Sequence, residues 1–143
     1  MSTTCADGGL SEPSPHLLDS LGLSRSSVIR VTGAGGLSVL LWLCRHGFDE
    51  VGYVRSDLPC SREAVDGVLV AERCDTARVA ELLARGPRLR PGGVLALRCE
   101  RACAAPIRRI LASKGFEVQF GPGTSDHALC IATLGVQPAR RAA

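Results

Sequence analysis

The chain has 143 residues, a formal net charge of +3, and 45% hydrophobic but only 3% aromatic residues. That length suits one domain rather than two, and leaves Leu, Val, Ala and Ile to build its core. Lys114 is the one lysine among 17 cations, the arginines form no basic stripe interleaved with aromatics, and no nucleic-acid partner is indicated.

Residues 1–14 are polar, with Gly, Ser and Pro, and read as a disordered segment. They lack the basic start and apolar centre of a signal peptide, so the cytoplasm is the expected compartment. A short helix is predicted from Pro15 to Leu21, capped by Ser14 and stopped by Gly22. Val28, Ile29, Arg30 and Val31 read as a buried strand, and Thr32 to Gly36 as a glycine-rich turn. Leu37 to His46 reads as a helix closed by Gly47. Its apolar run is far short of the roughly 20 residues that a membrane helix needs, so no membrane association is expected. Val51 to Val54 is the second strand.

Arg55 to Asp66 carries Pro59 and several polar residues and reads as a loop. Gly67 to Ala71 is the third strand. Asp75 or Thr76 caps a helix through Arg85, with Val79, Leu82 and Leu83 on one face. Arg90 to Gly93 is a turn, and Val94 to Leu97 the fourth strand. Ala104 to Lys114 is a helix with Gly115 past its end. Glu117 to Phe120 and Ala128 to Leu134 are strands joined by a Gly- and Pro-containing loop. A connection that short makes them antiparallel, because a parallel return needs a dozen residues or more. The last eight residues, 136–143, read as a flexible tail. Strand–helix alternation over 15–135 implies an α/β domain with a mainly parallel sheet.

The ordered set of C-terminal segments carries a resemblance. Leu89-Arg90-Pro91-Gly92-Gly93 followed by the apolar Val94 to Leu97, then Ile110 to Val118, then Ala128 to Leu134, are similar to the closing elements of class I S-adenosylmethionine-dependent methyltransferases. The resemblance implies a three-layer Rossmann-like fold, here shortened. Only about a dozen residues join the second and third strands; at ~3.3 Å each they cross a neighbouring strand without room for a further helix and strand. The sheet is therefore expected to have six strands, the third adjoining the first and the last strand lying between the fourth and fifth.

The resemblance also implies where S-adenosylmethionine would lie: over Gly33, Ala34, Gly35 and Gly36, reaching Arg55 and Asp57, with Glu72 following the third strand. The pattern is degenerate. Arg30 stands where the family commonly has an acidic residue, and Val54-Arg55-Ser56 stands where it ends the second strand with one. The same front half also resembles the start of a short-chain dehydrogenase, which would make Arg55 the partner of an NADP phosphate. Against this remote alternative, Tyr53 has Asp57 four residues on where that family has Lys. No catalytic base is named by the sequence. The main expectation is a methyltransferase-like protein, and its alternative a non-catalytic subunit of the same fold, a pseudoenzyme.

Other residues read as structural. His46 suits a helix C-terminus and His127 a hairpin. The seven cysteines include no CxxC pair, so no metal site is expected; Cys44 and Cys130 sit in apolar runs, and Cys74 lies in the loop after the third strand. The helix Leu37 to His46 shows almost no polar face before Arg45. It is therefore expected to meet a second copy of the chain or a protein partner, with Trp42 or Leu43 near the centre, unless Leu17, Leu18, Leu21 and Leu23 form a lid over it.

Overall fold

The structure, a computed structural model, describes residues 15–55, 64–121 and 126–135. The elements run α1 (Pro15–Ser20), β1 (Ile29–Thr32), α2 (Gly36–Arg45), β2 (Val51–Val54), β3 (Ala64–Cys74), α3 (Thr76–Arg85), β4 (Arg88–Glu100), α4 (Arg101–Ser113), β5 (Phe116–Gly121) and β6 (His127–Leu134). Residues 1–14 and 136–143, read as disordered and as a tail, lie outside the described residues, as does Asp57.

One six-stranded sheet has the order β2-β1-β3-β4-β6-β5. β1 pairs in parallel with β2 and β3, and β3 with β4. β6 is antiparallel to both β4 and β5. This is the order that the family resemblance implies, with the reversed last strand that the short loop predicts.

Successive side chains of the central strands point to opposite faces. Leu69, Ala71, Val94 and Ala96 join Val39, Trp42 and Leu43 of α2 and Leu18, Leu21 and Leu23 on one face. Val68, Val70, Leu95 and Leu97 join Val79 and Leu82 of α3 and Ile107 and Leu111 of α4 on the other. A strand buried on both faces shows a continuous apolar run, as β3 and β4 do. Thr32 is the buried polar side chain of the described core, and its hydroxyl donates to the Val54 carbonyl at 2.9 Å.

Several boundaries differ from expectation. β3 runs on to Cys74, so Glu72 and Cys74 lie in the strand rather than after it, and β4 runs on to Glu100. β3 starts at Ala64, so 64–66 are strand rather than loop. Ala64 and Val65 pair with Arg88 and Leu89 of β4, and Asp66 follows them. Its backbone N–H donates to Val28 O at 2.8 Å, its carboxylate accepts the Val28 N–H at 2.7 Å and Arg90 Nη1 at 2.8 Å, and one residue ties three chain segments. β4 absorbs the expected turn at 90–93: Leu89 pairs with Val65 and Val94 with Gly67, so the intervening residues bulge out of the ladder. α4 begins at Arg101 rather than Ala104, its first N–H donating to Asp126 O at 3.0 Å.

The apolar α2 is mostly accounted for inside the chain. Trp42 is 9% exposed and Leu43 fully buried, packed in one cluster with Leu18, Leu21 and Leu23. Trp42 also stacks on His46 with ring centroids 3.8 Å apart. Leu37 and Leu41, one turn apart, remain 61% and 54% exposed. No helix among the described residues is long and apolar enough to cross a membrane.

Candidate functional site

β1 ends at Thr32 in register with Val54 of β2 and Val70 of β3. Gly33, Arg55 and Glu72 therefore fall at the carboxyl ends of three adjacent parallel strands, where open α/β sheets hold their ligands. The chain leaves β1 through Gly33 at φ +97° and Gly35 at φ +87°, left-handed conformations that favour glycine. Gly36 then opens α2, its N–H donating to Gly33 O at 3.0 Å.

Two side chains of the protein close over this turn. Glu72 Oε1 accepts the Ala34 N–H at 3.3 Å, and Oε2 accepts Arg78 Nε at 2.8 Å. A Cβ on Gly33 would stand 3.0 Å from Glu72 Cγ. From the other side the Tyr53 hydroxyl donates to Gly33 O at 3.1 Å, and a Cβ on Gly36 would lie 2.5 Å from the Tyr53 ring. Gly33 and Gly36 thus make room for Glu72 and Tyr53 of the same chain. At Gly35 no atom lies within 4 Å of a Cβ position, and Ala34 and Gly35 are exposed.

α3 holds Arg78 in place. Asp75 is its N-cap, and its carboxylate accepts the Arg78 N–H at 2.8 Å. The Arg78 side chain also reaches Glu81 Oε1 at 3.2 Å. Burial pulls the Arg78 guanidinium down, but the hydrogen bond and charge of Glu72 outweigh it and hold the group above its ordinary pKa.

Of the predicted site residues, Gly33, Ala34, Gly36 and Glu72 come together directly. Gly35 faces outward, and Arg55 is exposed one residue past β2. Arg30 lies within the sheet, its Nη1 donating to Ile29 O at 2.9 Å and Glu50 O at 3.3 Å. The sequence reading missed Arg78 and the covering role of Tyr53. The signal for Arg78 was present: three residues past the Asp75 cap, it lies one turn into α3 beside the end of β3. His46 is remote, at the far end of α2, with Nδ1 2.8 Å from Trp42 O.

Cys74 does not offer a nucleophile. Burial, with the Glu72 charge adding to it, pushes its thiol up to about 12, and burial pushes Cys130 to about 12 as well. Such thiols stay protonated near neutral pH and act as small core residues. Farther along the same sheet end, His127, Arg73, Glu100, Arg101 and Asp126 surround a polar hollow of about 460 Å³, with Arg73 and Glu100 3.5 Å apart.

The arrangement fits a self-filled turn better than a cradle for S-adenosylmethionine. The Ala34 N–H and the Gly33 carbonyl of the glycine turn are bonded to Glu72 and Tyr53, and in the region where the family ends the second strand with an acidic residue the chain has Val54 and Arg55.

No protein-family model matches the chain, and no curated protein matches it in sequence. Solved structures do. A protein-(glutamine-N5) methyltransferase (release factor-specific) from Alicyclobacillus acidocaldarius superposes with a TM-score of 0.55 at 11% identity, covering 84% of this chain and 88% of that one. A methyltransferase from Pyrococcus furiosus superposes with a TM-score of 0.52 at 13% identity, covering 78% and 76%. At such identities the likeness shows the fold, which is class I methyltransferase-like.

Proposed function

From the premise of a class I methyltransferase-like fold, we propose that this chain is a non-catalytic version of it, acting through protein contacts rather than methyl transfer. One observation carries the reading: Glu72 sits on the Ala34 N–H and fills the space over Gly33, held there by Arg78. A backbone N–H at such a turn is the ready donor for a ligand's polar group. A ligand would have to displace a carboxylate that already makes charge-assisted bonds, which subtracts from its affinity.

The contact surface in this reading is α2. Leu37 and Leu41 form an exposed apolar pair, and among the described residues β2, with the half-exposed Tyr53, is the edge strand beside it. Exposed edges and apolar patches are both features that stable proteins tend to cover.

A second reading has its own support. The open space at Gly35 and the exposure of Ala34 favour a protein that still binds S-adenosylmethionine. Gly33, Ala34, Gly35, Gly36, Arg55 and Asp57 would then hold it, with Glu72 turned away from the loop. Calorimetric titration of the full chain with S-adenosylmethionine and S-adenosylhomocysteine separates the two. The first reading expects no saturable heat for either ligand up to millimolar concentration. Micromolar binding that disappears in Gly35→Val supports the second and overturns the first.

A further inference from the structure

We infer that the sheet end opposite the glycine turn carries a binding site for a small apolar carboxylate, such as a short- or medium-chain fatty acid. A cavity of about 310 Å³ opens there. Pockets that bury small ligands start near roughly 300 Å³ and are mostly apolar with few polar groups.

Its origin lies in the bulge of β4. β6 pairs with β4 only over 94–100, while the amino half of β4 follows β3 alone. The end of β6 at Leu134 stays paired with Phe116 of β5. Leu89 on one side and Leu134 with Phe116 on the other therefore diverge. The gap is floored by Val68 and Leu95, both buried, and walled by Leu82 and Leu83 at the end of α3.

Among the described residues that line the cavity two are charged, and both are cations: Arg88 at the start of β4 and Lys114 at the end of α4. Both are exposed, and among the described residues neither is in an ion pair. An apolar cavity whose described lining carries two cations outside any ion pair and no acid suits a ligand with a hydrocarbon body and an anionic head. A neutral or cationic head would forgo that charge complementarity.

Titration of the full chain with butanoate, hexanoate and octanoate below micelle formation, followed by amide NMR, tests the site. Saturable shifts are expected at Leu83, Leu89 and Phe116. Affinity should rise about fourfold for each added methylene until the cavity is full. The Arg88→Glu/Lys114→Glu double variant alters exposed side chains only, and should bind octanoate at least tenfold more weakly with its melting temperature unchanged. Octylamine binding as tightly as octanoate would overturn the proposal, as would shifts confined to the Leu37 and Leu41 surface or no saturable shift. Sedimentation with phosphatidylglycerol vesicles in the absence of an octanoate response would assign the cations to a lipid surface, and would equally overturn it.

Discussion

Asp66 shows how much one side chain holds at the residue scale. Its carboxylate accepts from the start of β1 and from the bulge of β4 while its backbone extends β3. The Val28 N–H lowers its pKa most, burial opposes this, and Arg90 adds to the lowering. A lowered folded pKa means that its stabilisation is complete above the unfolded carboxylate value of about 3.9 and is lost as pH falls through the folded value. Asp66→Ala should cost about 2 kcal/mol at pH 7, the usual scale for hydrogen bonds to a charged group. Urea titrations at pH 7 and pH 3 should show the gap to wild type narrowing in acid. A gap as wide at pH 3 as at pH 7 would mean that the charge contributes nothing.

The turn and the helix behind it form the next scale. α2 begins as close to β2 as it does because Gly36 has no side chain, and the Tyr53 ring fills that place. Gly36→Ala puts a methyl 2.5 Å from the ring. Overpacking of this kind costs typically about 1–3 kcal/mol. The same change in a Tyr53→Ala background should cost less by about 1 kcal/mol or more, since residues in contact are not additive. Thermal unfolding of the four proteins of this cycle gives the coupling. Additive effects would show that Tyr53 does not pack on the turn in solution. α3 was readable in outline, since Asp75 followed by Val79 and Leu82 marks a cap and an apolar face. That its first turn would carry the arginine for Glu72 was not, because the two residues meet only once β3 and α3 are in place.

At the scale of the whole molecule, the subunit role predicts association through α2. Wild-type chain should sediment as a concentration-dependent dimer, and Leu41→Glu as a monomer at the same concentrations. Leu41 is 54% exposed, so the change should move stability by less than about 0.5 kcal/mol. A wild-type monomer at every concentration would remove the homodimer. Trp42 does not belong at the centre of that contact, because α1 and the segment after it already bury it.

The strands and the reversed direction of the last one were legible in the chain alone because they follow from local signals, whereas their order in the sheet came from the resemblance to the methyltransferase family. Apolar runs alternate with helical periods, and the Gly- and Pro-containing loop after Phe120 is too short for anything but an antiparallel return. The short connection between β2 and β3, expected at about a dozen residues and nine in the structure, also set the reduced sheet, since chain reach is fixed by covalent geometry. What the tertiary structure alone decided rests on pairs distant in sequence. β3 reaches back to Ala64 because Ala64 and Val65 pair with Arg88 and Leu89 of β4, and Asp66 ties that stretch to Val28 and Arg90, 38 and 24 residues away. The glycine turn is closed by Glu72 and Tyr53, 38 and 20 residues from the groups they bind. A glycine reads the same in sequence whether the space it leaves takes a ligand or a neighbouring side chain. Only the folded sheet, which brings three strand ends together, determines which of them fills it.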